Sequence, residues 1–191
     1  MINRIPQDML NLNLHKRRSI RLQDYDYSHA GEYFITICTY NHECSFGDIV
    51  GEEMRLNKTG EIVKEEWLRT AQIRTDVELD SFIVMPNHLH GIITLNDSGR
   101  GKLQRAPTKE EFGKPTSGSI PTIIRLFKAC VTKNINLLRN TPRQPIWQRG
   151  YYEHIIRNDN DLDNVREYIV NNPIKWLLEK EIPDNLMGTL T

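Results

Sequence analysis

The chain has 191 residues, 38% hydrophobic and 26% charged, with 25 Lys and Arg balancing 25 Asp and Glu. That profile suits one soluble globular domain with a real core and excludes a disordered or fibrous chain. No apolar run nears the roughly 20 residues of a membrane helix, and the scattered Cys38, Cys44 and Cys130 match neither a disulfide framework nor a zinc knuckle, so reduced thiols in a cytoplasm are expected.

Residues 1–20 read as an N-terminal arm without the apolar core and cleavage site of a signal peptide, running into a basic patch, "HKRRSIR". A single domain is expected over 21–180, followed by a tail over 181–191. "EYFITICTY" (32–40) is β-branched and aromatic, as in a buried strand. "SFGDIVGEEMRLN" (45–57), with glycines at short intervals, predicts a small hairpin. Ile62, Trp67, Leu68 and Ala71 fall near helical spacing, giving an amphipathic helix over about 58–74.

"VELDSFIVMPNHLHGIITL" (77–95) splits into two apolar strands around "MPN", whose proline and asparagine favour a turn between antiparallel partners. Residues 96–119 are rich in Gly, Pro, Ser, Thr and charge and predict a long flexible loop. A helix follows over 119–140, with Ser119 as its cap and Ile123, Ile124, Phe127, Val131, Ile135 and Leu138 on one face. "PIWQRGYYEHIIRN" (145–158) reads as extended. A last helix starts near Asp159–Asp161 and is ended or kinked by Pro173. The order of elements predicts an α+β fold: a ferredoxin-like or RRM-like antiparallel sheet with helices on one face.

Charge is unevenly spread. Residues 43–80 hold ten acidic and five basic side chains. Residues 113–152 hold seven basic ones (Lys114, Arg125, Lys128, Lys133, Arg139, Arg143 and Arg149) and no acid. Such polarity can focus an anionic ligand at zero net charge, although a helix and loop basic by chance are the plainer alternative.

Two chemical patterns stand out. His88 and His90, two apart on a strand, project from the same face and can share one divalent cation. Equally, one could be a satisfied core residue and the other face solvent. Tyr168 and Asn172, four apart, would lie one turn apart on one helix face. A core aromatic and a helix cap are the bland reading of that pair.

"MPNHLHGII", "WQRGYYEHIIRN" and "VREYIVNNPIKW", in that order, closely resemble the single-strand tyrosine transposases of the HUH endonuclease superfamily, and most nearly the branch of REP-associated tyrosine transposases. The resemblance runs from about residue 17 to 177. Histidine–hydrophobic–histidine alone is weakly specific; the ordered set of three blocks is strong.

The resemblance implies an HUH endonuclease fold and a metal-dependent endonuclease and strand transferase acting on single-stranded, hairpin-bearing DNA. His88 and His90 would hold Mg²⁺ or Mn²⁺, with Asn172 as third ligand and Tyr168 as the nucleophile. His154 falls in a motif of the branch and is expected near the site. A cation would neutralise and orient a phosphodiester and help the phenol, of ordinary pKa about 10, to ionise. Two imidazoles without a third strong ligand disfavour zinc as the working metal. No GxxxxGK[ST] loop occurs, so no nucleotide cofactor is expected.

On this reading Arg125, Lys128, Lys133, Arg139, Arg143 and Arg149 would contact the DNA backbone, joined by Arg17 and Arg18 from the arm. Tyr151, with Trp147 and Tyr152, would offer stacking faces, though Trp147 and Tyr152 fit a core equally well. A monomer and a homodimer are both open. The alternatives are a non-catalytic nucleic-acid-binding regulator on the same fold and an unrelated zinc hydrolase.

Overall fold

The computed structural model describes residues 25–97 and 116–181. The arm over 1–20, most of the loop over 96–119 and all but the first residue of the tail over 181–191 lie outside the described residues. Strand β1 (Gly31–Cys38) has two inward faces: Tyr33, Ile35 and Ile37 on one, Phe34 and Thr36 on the other. It runs antiparallel between β5 (His88–Leu95) and β6 (Tyr152–Ile156). With β4 (Val77–Met85) outside β5, the sheet order is β4-β5-β1-β6. This is the ferredoxin-like order expected from the sequence.

β4 and β5 form the predicted hairpin across Pro86 and Asn87, with Met85 opposite His88. β2 (Gly47–Val50) and β3 (Glu53–Leu56) make the predicted small hairpin apart from this sheet. Its turn residues Gly51 and Glu52 take φ values of 58° and 66°, the left-handed pair that suits a two-residue turn between right-twisted strands.

Helices α1 (Lys58–Gln72) and α2 (Ile120–Arg139) cover the Tyr33, Ile35 and Ile37 face with Val63, Trp67, Ile123, Phe127, Val131 and Ile135. Each large side chain buried there contributes about 1.5–3 kcal/mol. Asn57 caps α1, its side-chain oxygen accepting from the amides of Thr59 and Gly60 at 2.9 and 3.1 Å. Ser119 stands at the cap of α2, but its hydroxyl donates to the carbonyl of Thr116 at 2.9 Å; the expected cap keeps its place without making the capping bond.

Helix α3 (Asp159–Val170) lies on the opposite face, packing Leu162, Val165 and Ile169 against Phe34, Ile92 and Ile156. Helices on one face therefore describes α1 and α2, and is corrected for α3. The strands explain why: β1 and β5 carry apolar residues on both sides, and a sheet apolar on both sides needs cover on both. α3 stops at Val170. Asn171 (φ −83°, ψ 2°) separates it from α4 (Asn172–Glu181), whose first turn accommodates Pro173 because no helical partner is needed there. The break at the proline was expected; a single helix carrying both Tyr168 and Asn172 was not what formed.

No disulfide joins Cys38, Cys44 or Cys130. Among the described residues, no helix is long and apolar enough to cross a membrane.

Candidate active site

Strand alternation puts His88, His90 and Ile92 on the α3 side of the sheet and sends Leu89 into the other core. The two imidazole centroids are 4.5 Å apart. His90 is buried and stacked on Phe34 at 5.4 Å, with its Nδ1 2.8 Å from the hydroxyl of Thr36 on β1. His88 is half-buried, with its Nδ1 2.6 Å from Asn87 Oδ1.

The outer Nε2 atoms meet the helices. Tyr168, on α3, places its phenol oxygen 3.4 Å from His90 Nε2, and its ring edges onto Phe34 at 5.9 Å. Asn172, the first residue of α4, places Oδ1 3.3 Å from His88 Nε2. All four sequence candidates converge, Tyr168 on His90 and Asn172 on His88. The helical-face argument for Tyr168 and Asn172 reached the right neighbourhood by a different route, since the bend at Asn171 turns Asn172 back towards β5.

Burial pulls the His88 imidazole down to about 4, with Asn172 opposing the shift and His42 adding to it. Burial also holds His90 well below its ordinary value, helped by His88 and Lys175. Both rings are neutral near pH 7 and keep a lone pair to give. If the His88 proton sits on Nδ1, towards Asn87, its Nε2 lone pair faces the Asn172 carbonyl oxygen, and a cation between the two would relieve that opposition. Two imidazoles and one amide oxygen fit a divalent ion that keeps positions open for phosphate oxygens and water. No cluster of three or more His, Cys, Asp or Glu suited to a metal occurs among the described residues, so this mixed set is the candidate.

Sequence reasoning passed over several neighbours. Lys175 Nζ stands 4.5 Å from the centre of the Tyr168 ring, a cation over its π face. Its seven-residue spacing from Tyr168, two helical turns, was the available signal. Trp176 lies 5.9 Å from His88. Thr36 and Asn87, which hold the imidazoles from behind, had no spacing signal of their own.

Two polar links seat α3. Arg166 grips Asp80 of β4 through Nε at 3.1 Å and Nη2 at 2.5 Å, and this guanidinium holds the Asp80 carboxyl down to about 2. His154 of β6 sits on the site's face of the sheet, opposite Phe34 in register, with Nε2 2.9 Å from Asp161 in the first turn of α3. It thereby ties β6 to the helix that carries Tyr168.

Relatives share this sequence at length. An uncharacterized protein of Haemophilus influenzae is 45% identical over 170 residues, 87% of this chain and 93% of that one. A second Haemophilus influenzae protein, provisionally named a REP-associated tyrosine transposase, is 28% identical over 152 residues, 78% of this chain and 74% of its own. The REP-associated tyrosine transposase of Escherichia coli K12 is 29% identical over 108 residues, 56% of this chain and half of that one. The chain is thus similar in sequence to REP-associated tyrosine transposases.

No family model matches the sequence. A solved REP-associated tyrosine transposase bound to a REP hairpin shares the fold, with a TM-score of 0.53 at 20% identity over 85% of this chain and 74% of that one.

The basic candidates do not line the histidine side. Arg125, Lys128, Lys133 and Arg139 are on α2, across the sheet from Tyr168. Arg125, Lys133, Arg139, Arg143 and Arg149 are exposed. Lys128 is not a free phosphate contact: its Nζ donates to the carbonyls of Gln148 and Gly150 at 2.6 and 2.8 Å, and burial lowers it to about 8. Tyr151 is half-buried against the main core and Trp147 is inside it. Arg17, Arg18 and Lys114 lie outside the described residues.

Proposed function

We propose that this chain is a metal-dependent single-strand DNA endonuclease and strand transferase whose substrate is hairpin-bearing DNA. The observation that carries the reading is the meeting of Tyr168, His90, His88 and Asn172 within 3.4 Å contacts from three separate elements. A binding module has no use for a phenol aimed at a pair of neutral imidazoles. The hairpin preference draws on the solved family member bound to a REP hairpin.

His88, His90 and Asn172 would hold Mg²⁺ or Mn²⁺, which when bound supplies charge neutralisation for the phosphodiester. Tyr168 attacks phosphorus through its phenol oxygen. The P–O3′ bond breaks and a 5′-phosphotyrosine forms on one strand, while the phenol proton passes to water and a proton from water completes the free 3′-OH on the other. Lys175, over the Tyr168 ring, favours the phenolate as it forms. Ester energy is kept in the phosphotyrosine, so a 3′-OH can reverse the step without ATP. Phe34 and α3 hold the phenol against rotation, which supplies orientation rather than chemistry.

The test is incubation with Mn²⁺ and end-labelled single-stranded hairpin DNAs. A denaturation-resistant adduct on the 5′ side of the break, missing in Tyr168→Phe, supports the proposal. Tight DNA binding with no adduct across a broad hairpin set would instead make the chain a non-catalytic binder on the same fold.

A further inference from the structure

We infer that Asn87 is a positioning residue that locks His88 in the Nδ1–H tautomer and so presents its Nε2 lone pair beside Asn172. The inference rests on the metal-site reading above and adds a residue to it. Neutral imidazole carries one proton, and which nitrogen keeps it depends on what the other atoms face. Asn87 has an amide whose two ends are chemically opposite, so its orientation decides the matter.

That orientation is fixed from the other side. The Asn87 Nδ2 donates to the backbone carbonyl of His42 at 3.3 Å, which leaves Oδ1 pointing at His88 Nδ1, 2.6 Å away. Oδ1 can only accept, so Nδ1 must donate. The Asn87 backbone is itself clamped: its carbonyl accepts from the amide of Thr39 at 2.8 Å and from the Thr39 hydroxyl at 3.0 Å. The turn that offers the His42 carbonyl is held open by two left-handed residues, Asn41 at φ 51° and His42 at φ 56°. The same Thr39 hydroxyl reaches the carbonyl of Glu43 at 2.9 Å and closes that turn. A short turn after β1 thus sets the amide, the amide sets the proton, and the proton sets which nitrogen faces Asn172.

The alternative tautomer would put a proton between His88 Nε2 and Asn172 Oδ1, joining them by a hydrogen bond and removing both from service as ligands. Asn87 keeps that hydrogen bond from forming. Partners of this kind, behind a metal-binding histidine, change affinity by about 10–100-fold when removed.

The experiment uses the full chain in two measurements. Imidazole ¹⁵N–¹H correlation spectra of the metal-free protein report the tautomer directly, and Mn²⁺ titration followed by electron paramagnetic resonance reports affinity without DNA. Wild type should show His88 as Nδ1–H. Asn87→Ala should move it towards Nε2–H and weaken Mn²⁺ binding about 10–100-fold, while Asn87→Asp, which keeps an acceptor at Oδ1, restores both. His88 found as Nε2–H in wild type, or unmoved in Asn87→Ala with affinity unchanged, overturns the inference. A tautomer that shifts as expected in a protein that takes up no Mn²⁺ upholds the lock and sinks the metal reading instead. Circular dichroism melting of both variants separates a lost lock from a lost turn.

Discussion

Asp80 on β4 and Arg166 on α3, 86 residues apart, form a two-point ion pair that seats the helix carrying Tyr168 against the sheet. Tyr168 lies two residues beyond Arg166, so the pair acts on the position of the phenol as well as on the attachment of the helix. Because Arg166 pulls Asp80 down to about 2, the carboxylate is charged in the folded chain well below the ordinary range. A depressed folded value means stability fully present above the unfolded value near 4 and lost as pH falls towards 2. Urea midpoints measured from pH 5 to pH 2 should fall more steeply in wild type than in Asp80→Asn. Parallel slopes would show that the pair contributes nothing.

Tyr168→Phe removes the proposed nucleophile and little else, since the ring keeps its packing against Phe34 and His90. Cleavage and adduct formation should disappear, with hairpin affinity within a few fold of wild type. Equal loss of both in a gel-shift and cleavage series would make Tyr168 a structural residue.

His88→Ala and His90→Ala should differ in stability although both abolish Mn²⁺-dependent cleavage. His90 is buried between Phe34, Thr36 and Tyr168, so its loss leaves a void and an unmatched hydroxyl at Thr36 costing about 2–4 kcal/mol. His88 is half-buried and its removal should cost less. Denaturant titration distinguishes the two, and cleavage persisting in His88→Ala with Mg²⁺ would rule out the assignment.

Gly91→Ala tests how closely α1 approaches the strand of the histidines. A Cβ at Gly91 would stand 2.4 Å from the Trp67 ring, too near for contact, so Trp67 or β5 must move. Overpacking of this kind costs about 1–3 kcal/mol. A lowered melting temperature with altered tryptophan fluorescence is expected, and an unchanged melt would mean that Trp67 relaxes freely.

Arg125 and Lys128 should separate in function. Arg125→Gln should weaken DNA binding and flatten its dependence on salt, because a released phosphate contact lowers the slope. Lys128→Met should mainly destabilise the fold by stripping two carbonyls of their donor. If Arg125→Gln leaves the slope unchanged, DNA is held away from α2.

Much of the fold was legible in local pattern. β-branched and apolar runs at 32–40 and 77–95, helical spacing at 58–74 and 119–140, and the turn residues Pro86 and Asn87 each specify an element without reference to the rest, and β1, β4, β5, α1 and α2 formed there. The histidine pair was legible for the same reason, since strand alternation alone places His88 and His90 on one face.

What lay across the chain was not. Local pattern says that a strand is apolar, not that both its sides need cover, so the place of α3 on the second face emerged only once β1 was paired between β5 and β6. An acid-free basic stretch was visible, but which basic residues remain exposed and which, like Lys128, are spent on carbonyls depends on where residues 148 and 150 return to α2. The sequence by itself determined the chemical types at the site: two imidazoles, a phenol and an amide. Only the tertiary structure decided their mutual aim, because the contacts of Tyr168 with His90 and of Asn172 with His88 span 78 and 84 residues, distances over which local propensity carries no information.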